Sequence, residues 1–347
     1  MDKPAPHQVS PCPTPDAGAG SGKWEDVTPP DLSLDGAFKT PAGDNYGAVA
    51  FVVDPHDTAT VYLGTSAQGV FKTTDCGATW AHVSSGDVDK GRNGTMVIDP
   101  VDPNVLYTDG RYGPPGVFKT TDGGVTWTQI LPPDIANAFV YGGMVEWIAM
   151  DPTDHLHLTV TPHFTCQGAH APNCMLETTD GGGTWRVLDN TPDSGELGGQ
   201  IMLSQKVWLS AQPFSGVWRT TDGGATWTQV NKGQAFPYLY TAPDGTMYLP
   251  GGNPGVLKSA DGITWTAIPN SFGGGSLAFT KTALYSSLGL NDSKYYTAAI
   301  SDPTTWSAID NVPAKSGNGG WMIGADADHN LVYSSNFKAG FWRYSAQ

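Results

Sequence analysis

Residues 116–130 read GVFKTTDGGVTWTQI, and the fold follows from this stretch. GVFKT alternates apolar and polar residues as a half-buried strand does, and TWTQI does so again. Between them lies Thr-Asp-Gly-Gly, a hairpin turn. A short carboxylate such as Asp122 accepts hydrogen bonds from turn N–H groups, and Gly124 supplies a positive φ. The motif recurs as GVFKTTDCGATWAHV from Gly69, MLETTDGGGTWRVL from Met175, GVWRTTDGGATWTQV from Gly216 and GVLKSADGITWTAI from Gly255. A degenerate copy, YTAAISDPTTWSAI, begins at Tyr296. The turn at Asp261 is one residue short and Asp302-Pro303 departs further, so these two turns are expected to be less regular.

The motif tryptophans stand at 80, 127, 185, 227, 265 and 306, spaced 47, 58, 42, 38 and 41 residues apart. That is the period of one four-stranded propeller blade. Each Trp is expected to pack between neighbouring blades. Earlier in each repeat come two more strands, joined by Asp-Pro turns at 54–55, 99–100 and 151–152. The chain ends GFWRYSAQ from Gly340, the first half of the motif, and KWEDV at 23–27 fits the missing second half. Six internal copies and one shared copy predict an all-β, single seven-bladed propeller of four-stranded antiparallel blades. Its ring would close by pairing of the N-terminal strand with the C-terminal blade, which removes an open sheet edge. Residues 1–22 are expected to be a flexible tail and 23–347 the propeller.

These boxes resemble the Asp-box (BNR) repeat, over nearly all of residues 23–347. The resemblance extends to sialidases, family 74 glycoside hydrolases, sortilin-type receptors and photosystem II assembly factors. It implies the fold strongly and the function weakly, because the boxes are structural. Sialidases hold a carboxylate with three arginines; of the five here, Arg186, Arg219 and Arg343 fall in motif strands expected at the blade exterior, leaving Arg92 and Arg111. Family 74 enzymes look like two tandem propellers and sortilin-type receptors like ten blades. The assembly factors resemble proteins with a basic patch, against which a formal charge of -15 argues.

That charge also excludes nucleic acid as an expected partner. No run of 18 apolar residues predicts a membrane span. The Pro-, Ala- and Gly-rich start resembles a linker left after removal of an export signal. The expectation is a secreted, cell-surface or periplasmic monomer, with a lipoprotein-type export as one route. Four cysteines allow three connectivities, of which Cys166–Cys174 with Cys12–Cys76 is favoured. No CxxC spacing suggests zinc, so neither a metal nor another cofactor is expected.

The motif turns and the Asp-Pro turns share one face; the loops between second and third strands and the blade-to-blade links share the other. Ligands are expected on that second face, at the mouth of the channel. Its candidate polar groups are Arg92, Asp109, Arg111, Glu146, His163, His170, Glu196, Asp292 and Lys338. Its candidate aromatic walls are Tyr46, Tyr112, Trp147, Tyr238 and Trp321. Carboxylates beside stacking rings suit a sugar. The leading expectation is a polysaccharide-degrading glycoside hydrolase with Glu146 and Glu196 as acid and base. A second is a polysaccharide lyase in which Tyr112 and His163 transfer protons and Arg111 neutralises a uronate. A third is a non-catalytic propeller that binds a glycan or a protein. His155 and His157 are expected at the surface.

Overall fold

The computed structural model describes residues 4–13, 21–39, 46–192, 195–253, 255–287, 294–310 and 322–346. Seven four-stranded antiparallel sheets are present among them. Their innermost strands are Gly47–Val53, Met96–Ile98, Val145–Asp151, Gly199–Met202, Tyr240–Thr241, Ser276–Phe279 and Met322–Asp326, here blades one to seven. In the first six blades the strands follow chain order from the axis outward.

Blade seven is the composite. Its outermost strand, Trp24–Asp26, comes from the opposite end of the chain and pairs with Phe341–Ser345. The register sets Trp24 opposite Tyr344 and Glu25 opposite Arg343. The Trp24 ring packs at 4.6 Å from Tyr295 and 5.1 Å from Tyr344, joining blades six and seven. Arg343, expected at the exterior, is instead buried. It donates to the Glu25 carboxylate at 2.9 Å and to the Cys76 carbonyl of blade one at 2.7 Å. The strand exchange is what supplies it with a counterion.

The apolar core is distributed around the ring. Each of the seven buried clusters draws residues from two adjacent blades, such as Leu209 and Val217 of blade four with Leu249 and Leu257 of blade five. A lone blade would leave both sheet faces wet, so burial couples each blade to its neighbours. The motif tryptophans join in. Trp80 donates to the Val27 carbonyl of blade seven at 2.8 Å, and Trp185 to the Ile130 carbonyl of blade two at 3.1 Å.

The Asp turns are closed by one repeated set of bonds. Asp122 Oδ1 accepts from the Thr126 N–H at 2.9 Å and the Thr120 hydroxyl at 2.7 Å, while Oδ2 accepts from the Thr126 hydroxyl at 2.6 Å. Asp75, Asp180 and Asp222 repeat the pattern. At Asp261 the turn is shorter, and Oδ1 takes the Ile263 and Thr264 N–H groups directly. Asp302 accepts from the Thr304 N–H at 3.2 Å and the Thr304 hydroxyl at 2.6 Å. Each of the regular turns is bonded to the first hairpin of its own blade, as Gly181 N–H is to the Leu156 carbonyl at 2.8 Å. These turns therefore crowd one face and leave the other to the long loops.

Both disulfides, Cys12–Cys76 and Cys166–Cys174, are formed. Part of the expected tail is pinned by the first. Ser10 donates to Asp57 through its N–H at 3.1 Å and its hydroxyl at 2.5 Å. His157 is buried rather than exposed, between Asp151 at 3.1 Å and Glu177 at 2.9 Å. Burial pulls its pKa down, but the two carboxylates outweigh that and raise it. His155 is paired with Asp99 at 2.6 Å. No helix among the described residues is long and apolar enough to cross a membrane.

Candidate functional site

On the face opposite the Asp turns, loops of blades two and three meet around one buried guanidinium. The segments at Arg92 and Arg111 run side by side, with Arg92 N–H on the Arg111 carbonyl at 2.6 Å and the reverse bond at 2.9 Å. This bridge fixes the backbone beneath Arg111. Its Nε donates to Asp109 at 2.6 Å, its Nη1 to Glu146 Oε2 at 2.5 Å and its Nη2 to the Glu146 carbonyl at 3.0 Å. Asp109 also accepts the N–H groups of Gly94 at 2.6 Å and Thr95 at 2.9 Å. Arg111 is buried and its charge is satisfied on two sides. Burial opposes that charge, yet the two carboxylates prevail and raise its pKa.

Glu146 is the second member of the cluster. Its Oε2 also faces His163 Nδ1 at 2.5 Å, and its Oε1 accepts the Leu197 N–H at 3.0 Å. Burial would push this carboxyl up; the Arg111 charge and then the His163 hydrogen bond hold it below its ordinary value. Glu146 is therefore an ionised, saturated carboxylate.

His163 extends the chain of bonds to Tyr112. His163 Nε2 and Tyr112 Oη are 2.6 Å apart. Because Nδ1 points at a carboxylate, it carries the imidazole proton, and Nε2 presents a lone pair to the phenol. Tyr112 sits at φ 54, a left-handed conformation that bulky residues avoid. Backbone strain of this kind concentrates at functional sites. Burial raises the Tyr112 phenol, against the pull of Arg92 and then Arg111. The Arg92 guanidinium lies 5.7 Å from the Tyr112 ring centre, and burial followed by the Arg111 charge brings its own pKa down to about 10. Glu196 stands at the mouth, 57% exposed, with Oε1 at 3.5 Å from His163 Nε2.

Beside the cluster lies a cavity of about 360 Å³, lined by Glu146, Trp147, Leu197, Phe236, Tyr238 and Asn253 among others. Trp147 and Tyr238 meet edge to face at 5.1 Å. The glycine run 273–275 also lines the cavity. The tertiary structure thus brings together Arg92, Asp109, Arg111, Tyr112, Glu146, His163 and Glu196, with Trp147 and Tyr238 alongside. Tyr46 is elsewhere, buried with Lys39 at 5.4 Å from its ring centre. Lys338 is exposed, and His170 is paired at 2.8 Å with Asp189. Trp321 and Asp292 lie outside the described residues. Gln234, Phe236, Asn253 and Leu197 line the cavity without having been singled out from the sequence. Leu197, Gln234 and Phe236 lie in blade-to-blade links and Asn253 in the loop between the second and third strands of blade five, positions that mark the face and not the pocket.

No family model matches the chain. It is 25% identical over 292 residues to a xyloglucanase of a Paenibacillus species, covering 79% of this chain and 24% of that protein. The chain thus spans about a quarter of the length of that curated relative. Its fold is shared with a solved structure of YCF48 bound to D1 peptide, at TM-score 0.61 and 16% identity over 97% of this chain and 99% of the other. YCF48 from Cyanidioschyzon merolae aligns at TM-score 0.58 and 13% identity, over 93% and 98% of the two chains. At these identities the structural likeness establishes the seven-bladed propeller, and the sequence likeness is to a glycan-active protein.

Proposed function

We propose that this propeller is an exported, glycan-active protein that cleaves a uronate-containing polysaccharide by β-elimination, with Tyr112 and His163 as the proton-transfer pair. The observation that carries this reading is the 2.6 Å contact between Tyr112 Oη and His163 Nε2, aligned through Nδ1 by Glu146. In such a step a base takes the proton on the sugar carbon next to the carboxylate. A carbon–carbon double bond forms, the neighbouring C–O bond breaks, and the leaving oxygen is protonated. Tyr112 and His163 supply one base and one acid at one place. Burial holds the Tyr112 phenol protonated, and Arg92 and then Arg111 only partly offset that rise. Arg111 itself is enclosed by Asp109 and Glu146, so it steadies the pair and does not reach a uronate. The two disulfides suit an oxidising compartment.

Hydrolysis is the second reading, favoured by exposed Glu196 beside His163 and by the likeness to a xyloglucanase. The pairing of Glu146 with Glu196 loses ground on physical grounds. A hydrolase needs one carboxyl that donates and one that attacks or activates water. Glu146 is held ionised with its oxygens occupied, which leaves Glu196 alone.

A panel of neutral and uronate-containing polysaccharides, read for reducing ends and for unsaturated-uronate absorbance, separates the readings. Elimination yields both signals and loses both in Tyr112→Phe. Reducing ends without absorbance, lost in Glu196→Gln, would establish hydrolysis instead. Glycan binding without either signal would make the propeller a scaffold.

A further inference from the structure

On the opposite face, at the seam where blade one meets blade seven, four potential metal ligands converge. Cys12, Cys76, Asp326 and His329 place one donor atom each within 4.8 Å of all the others. Cys12 belongs to the N-terminal strap, Cys76 to the Asp turn of blade one, and Asp326 and His329 to the first hairpin of blade seven. We propose that this seam is a thiol-gated metal site. With the disulfide formed it is a covalent staple; with the disulfide opened, the same four residues bind one zinc-class divalent cation.

Three observations carry the proposal. The first is the hydrogen bonding of His329. Its Nε2 lies 2.9 Å from the Ser10 carbonyl, which can only accept, so Nε2 carries the proton. That leaves the Nδ1 lone pair, 2.6 Å from Asp326 Oδ2. The free donor atom of the imidazole is thereby aimed into the cluster, with Cys76 Sγ 3.9 Å away. A backbone carbonyl that fixes the remote ring nitrogen is also the usual outer support of a metal-binding histidine.

The second observation is Asp326. It is fully buried, and its Oδ1 is occupied by the N–H groups of Asp328 at 3.0 Å and His329 at 3.1 Å. Oδ2 is thereby aimed at the cluster, 3.9 Å from Cys76 Sγ. The third is the backbone at Cys76. Its φ is 60, and the matching positions of the other turns are glycines, Gly123, Gly181 and Gly223, at 69–71° or 68°. A side chain is kept here where the repeat prefers none, at a cost of about 1 kcal/mol. Its sulfur reaches both Asp326 and His329.

Two sulfurs, one imidazole and one carboxylate are a donor set for tetrahedral zinc. Opening the disulfide takes two electrons from a thiol or phosphine reductant and two protons, which come from the thiol or, with a phosphine, from the water whose oxygen it takes up; both protons leave when the thiolates bind the metal. The disulfide ties the strap to the first blade; the metal-bound form adds the last blade through Asp326 and His329. The absence of a CxxC pattern hides such a site, because its ligands come from three separated segments.

The test uses the full chain, reduced with a phosphine and confirmed folded by near-ultraviolet circular dichroism, with Co²⁺ as the spectroscopic probe. One equivalent should bind with visible bands of a tetrahedral site and sulfur-to-cobalt charge transfer. Stoichiometric Zn²⁺ should bleach both, and the oxidised chain should show neither. Cys76→Gly restores the residue that the other turns use, so it keeps the fold while removing a ligand; it should abolish the bands. His329→Gln should weaken Co²⁺ binding by about 10-fold or more. Equal binding by the reduced chain and Cys76→Gly, or binding without charge-transfer bands, would overturn the proposal.

Discussion

Glu146 Oε2 is shared between Arg111 and His163, at 2.5 Å from each. One carboxylate oxygen thus neutralises a buried cation and orients an imidazole towards Tyr112. This makes Glu146 a positioning residue, whose removal should be felt first as lost stability. Truncating one partner of a buried, hydrogen-bonded charge pair costs about 3–5 kcal/mol. Glu146→Gln should fall in that range by denaturant unfolding, whereas exposed Glu196→Gln should stay within about 0.5 kcal/mol of the parent. Equal stabilities for the two variants would contradict the buried network.

Tyr112→Phe removes a half-buried hydroxyl and leaves the ring in place. Loss of a proton-transfer group should lower kcat/KM on the cleaved glycan by about 10²–10⁴-fold. Glycan affinity, read by calorimetry on an unreacted oligosaccharide, should change little. A rate within twofold of the parent would remove Tyr112 from the chemistry.

The seam between the chain ends should govern the stability of the whole ring. Trp24→Ala removes the ring that packs on Tyr295 and Tyr344 and should cost about 2–4 kcal/mol, scaled down from a fully buried aromatic because Trp24 is only partly covered. Deleting 23–27 also strips Arg343 of Glu25, its carboxylate partner. A melting temperature unchanged by that deletion would show that the outermost strand of blade seven is dispensable.

Acid should loosen the Asp-turn face. The turn hydrogen bonds, the Thr126 and Thr226 hydroxyls first for Asp122 and Asp222, depress these carboxyls from 3.8 to about 2. A folded-state pKa below the unfolded one means stability that is fully present above pH 3.8 and is lost as the pH falls towards 2. Asp180, held first by the Thr184 N–H, follows the same course. His157 has the opposite sign. Its pKa is raised above 6.5, so its contribution is complete below that value and fades as the pH rises through the folded-state pKa. Melting temperature followed from pH 2 to 9 should fall steeply on the acid side. In Asp122→Asn the acid-side fall should be shallower.

The repeated turn announced the fold because its physics is local. Asp, Thr, Gly and Trp within eight residues close a hairpin by themselves, and their recurrence counted six blades. The half-motifs at residues 23–27 and from Gly340 supplied the seventh, and the order of turns assigned every loop to a face. None of this required knowing which loops touch.

The sequence by itself therefore determined the seven-bladed ring, its closure and the face on which a glycan site is sought. The tertiary structure alone decided what the residues on that face are. Tyr112 and His163 are 51 positions apart and meet only once blades two and three lie side by side. Glu146 reads in the sequence as an available acid; only packing against Arg111 turns it into a spent counterion. His157, Arg343 and the seam of Cys12, Cys76, Asp326 and His329 follow the same rule. The protonation state and reach of a polar group are set by its desolvation and its partners, and a closed ring draws those partners from distant parts of the chain.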